Sequence, residues 1–155
     1  MLERIKYYTK HTKCKTYFTI TGNFNVDDIT SILNLKPYES WNINDSRKIG
    51  AGNYTFSRWS YGLCEDYDVE THKMMEKTLE DLFDKKEELQ RIKDEFEDIY
   101  FGLVVVPTVK DDESVPTLSP SMEIMKWCAE TETNIDYDLY VSTSEEEIDD
   151  YTMTM

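Results

Sequence analysis

Histidine and cysteine are scarce in this chain, and their scarcity narrows its chemistry first. The 155 residues contain two histidines and three cysteines. Neither histidine stands in a pattern with serine or cysteine that would pair a nucleophile with a base. His11-x-x-Cys14 has the spacing of half a zinc site, but no second close pair completes it. No metal or other cofactor is therefore expected. Cys14, Cys64 and Cys128 are widely spaced and odd in number, which fits reduced thiols and a cytoplasmic location. There is no phosphate-binding loop, no dinucleotide-binding glycine pattern and no zinc-protease histidine pair, and Gly50-x-Gly52 reads as loop. No apolar run approaches the roughly 18 residues of a membrane helix, and residues 1–15 lack a signal-peptide core, so no membrane partner is expected.

Acidic charge and aromatic residues are what the chain does have. Its net charge is −15, and 13% of its residues are aromatic, eleven of them tyrosine, which argues against disorder. The charge is uneven. Residues 1–64 carry nine Lys or Arg against five Asp or Glu, whereas residues 65–155 carry eight against twenty-seven. A field of that sign repels nucleic-acid phosphates, so direct nucleic-acid binding is not expected, and it steers basic partners inward.

The hydropathy pattern predicts one α+β domain over residues 1–143 and an acidic, frayed tail over 144–155. Lys13–Thr21 alternates, with Cys14, Thr16, Phe18 and Ile20 on one face, and reads as a half-buried strand. Asn25 caps a helix with the stripe Val26, Ile29, Ile32 and Leu33, which stops before Pro37. Short strands follow at about Tyr38–Ile43 and Tyr54–Tyr61, joined by a mobile linker, Asn44–Asn53. A long helical pattern runs from Asp68 to Glu97, with a polar patch at Asp84–Glu87 where it kinks or divides. Phe101–Val106 reads as a strand buried on both faces, and Pro107–Leu118 as a solvated loop. Ser119-Pro120 opens a last helix, and Asn134–Val141 alternates as a fifth strand. The order is that of a ferredoxin-like split β-α-β core (βαββαβ) with an added αβ. Right-handed crossovers place the helices on one face of a five-stranded mixed sheet and leave the other face uncovered.

The ordered set Phe18-Thr19-Ile20-Thr21-Gly22, Leu35-Lys36-Pro37, Trp41, Ser57-Arg58-Trp59-Ser60, Leu103–Val106, Leu118-Ser119 and Ile135-Asp136-Tyr137-Asp138-Leu139-Tyr140 resembles the bacterial domain-of-unknown-function family numbered 4279. The resemblance spans about Lys15 to Val141. Asn44-Asp45 stands where that family often has a Gly-Asp pair. The resemblance implies a fold and no particular reaction.

Two sites follow from these patterns. The first is the uncovered sheet face, bearing Tyr17, Asp136, Asp138 and Tyr140, with Val104 or Val106 as an apolar stripe and Trp59 as a further aromatic. This face suits a non-catalytic protein-binding domain, in its concrete form an immunity or antitoxin-type protein that neutralises a basic partner. An apolar stripe rimmed by tyrosine also suits a weak homodimer. Asp136-x-Asp138 puts two carboxylates on one strand face, where solvated charge is the ordinary role. The second site, the alternative, lies between the sheet and the 44–53 loop. There Trp41, Asp45 and Trp59 would line the pocket of a small-ligand sensor or enzyme. The three tryptophans, Trp41, Trp59 and Trp127, are otherwise core candidates.

Overall fold

The computed structural model describes residues 11–67 and 70–142. The acidic tail 144–155, the domain limit at 143 and the helix start at Asp68 lie outside those residues. The described chain is α+β, with four helices and a six-stranded mixed sheet.

Its central strand is β1 (Lys13–Asn23), which alternates as the side chains require: Cys14, Thr16, Phe18 and Ile20 are buried, and Lys13, Lys15 and Tyr17 are half-buried on the other side. Helix α1 (Val26–Leu33) is capped by Asn25, whose side chain accepts from the Asp27 amide at 2.9 Å. It ends at Asn34 in the left-handed conformation, short of Pro37. Strands β2 (Glu39–Trp41) and β3 (Ser57–Asp66) are antiparallel neighbours. β3 starts later and runs further than the alternation implied. The segment between them is not the loose linker expected. Asn44 N donates to Tyr54 O at 2.9 Å, Tyr54 N to Asp45 O at 2.9 Å and Arg47 N to Gly52 O at 3.1 Å, so it folds back on itself as a hairpin. Asn44 sits at φ 73, the left-handed region that a glycine would favour in that turn.

The long helical pattern divides into α2 (Thr71–Leu79) and α3 (Lys86–Glu95). Between them Leu82 N donates to Leu79 O at 2.8 Å and Lys85 N to Leu82 O at 3.0 Å. Such three-residue bonds tighten and end a helix. The stripe Met75, Leu79, Leu82, Leu89 and Ile92 is nevertheless continuous and fully buried. Hydrophobic periodicity therefore sees the face and misses the break.

Strand β4 (Glu97–Lys110) is longer than the expected Phe101–Val106 and passes through Pro107, which had been assigned to a loop. It pairs antiparallel with β1 over most of its length. After α4 (Met122–Thr131) the expected fifth strand is broken into β5 (Thr133–Tyr137) and β6 (Tyr140–Ser142). Both pair parallel with β4 in the same register. Proline explains the gap. Asp138 N donates to Val105 O at 2.9 Å, and the next rung of a parallel ladder needs a residue-107 amide to donate to the Asp138 carbonyl. Pro107 has no such hydrogen. The helix after the loop is capped by Ser121, which accepts from Ile124 N at 3.3 Å, so Pro120 precedes the cap rather than opening the helix.

The strand path is β2-β3-β1-β4-β5, with β6 also on β4. Buried residues of all four helices, Ile29 and Leu33, Met74, Met75 and Leu79, Leu89 and Ile92, and Ile124, Trp127 and Cys128, join one core with Phe18, Ile20, Trp59, Phe101, Leu103 and Val105 of the sheet. Helix α2 is fastened by a buried polar chain: the Thr78 hydroxyl donates to Gly62 O at 2.7 Å and lies 2.7 Å from the Thr16 hydroxyl, which also reaches Met74 O at 3.2 Å. β3 bulges here, because Phe18 pairs with Tyr61 while Thr16 pairs with Cys64. Gly62, at φ 74, supplies the extra residue.

Two stability predictions follow. A Cβ on Gly62 would overlap the Thr78 carbonyl oxygen, whereas one on Gly52 (φ 90) meets nothing. In urea denaturation Gly62→Ala should cost about 2–4 kcal/mol, and Gly52→Ala only the backbone strain of about 1 kcal/mol. Equal losses would show that α2 does not press on the bulge. The buried indoles differ as well: Trp59 Nε1 donates to the Thr30 hydroxyl at 3.0 Å, while Trp127 Nε1 has no acceptor among the described residues. Trp59→Phe should therefore be more destabilising than Trp127→Phe by about 1–2 kcal/mol, read from the same denaturation curves.

Candidate binding face

All the outward side chains of β1, β3, β4, β5 and β6 rise from the sheet face opposite the helices. Register fixes their order. Across the sheet run Glu65, Lys15, Val106 and Asp138; one row along run Tyr17, Val104 and Asp136; and at the end run Lys13, Thr108 and Tyr140. The structure thus brings together Tyr17, Val104, Val106, Asp136, Asp138 and Tyr140 as the alternation implied. It does not add Trp59. That residue pairs with Ile20, points to the helix side and has 0% exposure, so it is core. Nor is there an exposed valine stripe: Val104 is only 6% exposed, set between Tyr17 and Asp136, and Val106 is half-buried. Long polar and aromatic side chains, rather than open apolar surface, cover the strand backbones.

Near β3 these side chains form an aromatic-cationic cluster. The Arg58 guanidinium lies 5.7 Å from the Tyr17 ring centre and 5.4 Å from that of Trp41, and its Nη2 donates to the Tyr17 hydroxyl at 3.2 Å. Its Nε donates to Ser60 Oγ at 3.2 Å, and the Tyr38 ring meets Tyr17 edge-on at 6.1 Å. Trp41 is half-buried on this face rather than in the core. It stacks on Tyr54 at 4.2 Å and donates from Nε1 to Phe56 O at 3.0 Å. The alternative pocket of Trp41, Asp45 and Trp59 is therefore not assembled: Trp41 and Trp59 lie on opposite faces of the sheet. Asp45 is occupied by the hairpin, where its Oδ2 accepts from Asn42 N at 3.0 Å.

At the other end of the face lies a groove of about 320 Å³, lined by Lys13, Lys15, Tyr17, Glu65, Val106, Thr108, Asp138 and Tyr140. Lys13 is paired with Glu65 at 3.2 Å. The two lysines and Glu65 went unremarked as site residues in the sequence because single charges on a strand's outer face are ordinary. Tyr100 was missed because β4 starts before Phe101; its hydroxyl donates to Asp136 Oδ2 at 2.5 Å. The loop after β4 leaves this face alone and is tied on the helix side, where the Thr71 hydroxyl donates to Thr117 O and that of Tyr137 to Leu118 O at 2.6 Å.

Ionisation follows burial. The thiols of Cys14 and Cys128 are each pushed up to about 11 by desolvation, which keeps them protonated and poor nucleophiles at neutral pH. His11 is exposed, and its Nδ1 lies 3.5 Å from Glu113. Among the described residues no group of three His, Cys, Asp or Glu is arranged to hold a metal ion. Tyr100 is pushed up to about 12, first by burial and then by its bond to Asp136; Tyr38 reaches about 12 by burial and the nearby Tyr17 and Glu39. A raised tyrosine holds its proton more tightly when folded, so this contribution is complete below about pH 10 and disappears as pH rises through about 12. Absorbance titration of the phenolates should show several late-ionising groups near pH 12, one of which Asp136→Asn brings partway down while burial still holds it up; an unchanged curve would contradict the Tyr100–Asp136 bond.

No curated protein and no solved structure matches the chain. A family model does match, over residues 12–142, from the first residues before β1 to the end of β6. The chain therefore belongs to the family described as Domain of unknown function (DUF4279).

Proposed function

We propose that this protein is a non-catalytic binding domain that docks a basic protein on the sheet face opposite its helices, in the manner of an immunity or antitoxin-type protein. The observation that carries this is the face itself. Tyr17, Tyr38, Trp41, Arg58 and Tyr140 gather on one sheet surface that no described helix covers, and tyrosine, tryptophan and arginine are the residues that dominate interface energetics. Charge selects the partner. The net −15, with exposed Glu80, Asp81 and Asp84 in the turn between α2 and α3 and Glu87, Asp94 and Glu95 on α3, attracts a basic protein from a distance. The aromatic face then supplies short-range contact.

We also read β1 to β4 as a ferredoxin-like split β-α-β core. The order β2-β3-β1-β4, with β1 antiparallel to both neighbours, supports that topology. α4, β5 and β6 are then additions at the β4 edge, and the divided helix is a departure within the second crossover.

Affinity capture from the native host, followed by elution in rising salt, tests the function. A basic protein should be recovered, its association rate should fall about tenfold or more between low and physiological ionic strength, and its retention should be lost in a Tyr17→Ala, Trp41→Ala double variant that still melts cooperatively. Recovery of no basic protein, or retention indifferent to both salt and variant, would overturn the proposal.

A further inference from the structure

The groove at the β1–β4–β6 end of the face has a charge layout that a protein-docking surface does not require. Three strands and the break between β5 and β6 supply one row across it: Glu65, Lys15 and Val106, then Asp138, held in line by its amide's bond to Val105 O. Lys13 neutralises Glu65 at 3.2 Å. That leaves Lys15 on one side of the half-buried Val106 floor and the exposed Asp138 on the other. Lys15 and Asp138 have no ion-pair partner among the described residues, although both line the same cavity of about 320 Å³. Their backbones stand two strands apart, about 10 Å, and the opposite charges line the same groove without pairing, which leaves room between them for a small molecule.

The rims match those charges. Beside Lys15, whose ammonium sits 5.7 Å from the Tyr17 ring centre, the Tyr17 hydroxyl accepts from Arg58 at 3.2 Å. Its acceptor role being met by Arg58, the hydroxyl has its own proton left to donate. One cation, Lys15, and a hydroxyl donor thus stand together at one end of the groove, with Arg58 outside its lining holding the hydroxyl. Beside Asp138, Tyr140 presents an aromatic ring, which favours a cation. A cavity of this size is at the small end of ligand sites, which run about 300–1,000 Å³.

We propose that this groove binds a small zwitterion, with its carboxylate at Lys15 and the Tyr17 hydroxyl and its ammonium at Asp138 beside Tyr140. The strand spacing selects zwitterions whose charges are several bonds apart, such as ω-amino acids and dipeptides, over α-amino acids with one carbon between them. The Val106 floor packs against the ligand's methylenes or peptide unit. This site is independent of whether a protein docks on the rest of the face.

Calorimetry on the full chain with defined probes decides it. 6-Aminohexanoate and glycylglycine should bind, while hexanoate, hexylamine and glycine should bind at least about tenfold more weakly. Lys15→Met and Asp138→Asn, surface substitutions whose folding is checked by thermal melting, should each weaken the two zwitterions about tenfold or more. Tyr17→Phe should weaken them by a smaller factor and leave hexylamine unaffected. Chemical-shift changes on titration should centre on Lys15, Val106 and Asp138. The proposal fails if neither zwitterion binds at about 10 mM, if the single-charge probes bind equally well, or if both charge variants retain full affinity.

Discussion

Strand β1 is hydrogen-bonded along both edges, to β3 and to β4, and this double pairing is the constraint from which the rest of the molecule follows. A one-residue slip would turn Phe18 and Ile20 to water and drive Lys13 and Lys15 into the core. Neither neighbour can tolerate that. β4 offers Leu103 opposite Phe18 and Val104 opposite Tyr17, so its own two faces are already sorted to match. Locked in this way, β1 divides the molecule: its even-numbered residues from Cys14 to Ile20 face the helices, and its odd-numbered residues Lys13, Lys15 and Tyr17 face the opposite side of the sheet.

Fastening the helices to that strand required polar groups as well as apolar ones. Thr16 is the position where the core face of β1 carries a hydroxyl, and it joins Thr78 of α2 and the carbonyl of the bulge glycine, Gly62. A buried hydroxyl without a partner is costly, so the three groups hold α2 in one position along the strand where apolar packing alone would tolerate sliding. The bulge also swings the end of β3, which places Glu65 beside Lys15 and Lys13 on the binding face. A packing device on one face thereby sets the electrostatics of the other.

The two faces carry different charge for reasons that lie in their backbones. The turn between α2 and α3 exposes Glu80, Asp81 and Asp84, and α3 exposes Glu87, Asp94 and Glu95 beside Lys86 and Arg91, all without conflict with the core. The strands expose single residues in rows, so opposite charges fall next to each other: Glu65 beside Lys13, Asp138 across from Lys15, Arg58 between two aromatic rings.

Local periodicity in the sequence was sufficient to determine which residues of β1 are core, the Asn25 cap and the buried stripe of the divided helix, because each depends on residues close along the chain. It also placed Tyr17, Asp136, Asp138 and Tyr140 on one face. The break between α2 and α3, the passage of β4 through Pro107 and the resulting split of β5 from β6 were decided by pairing between distant segments. A proline ends a strand only on the side where its missing amide is needed, and the sequence does not state which side that is. Trp41 and Trp59 looked alike in the sequence; strand register across β2 and β3 sent one to the binding face and the other to the core. The groove belongs wholly to tertiary structure. Lys15 and Val106 come from two strands and Asp138 from the break between β5 and β6, and only the hydrogen-bond register of the assembled sheet brings a cation, an apolar floor and an anion to one groove.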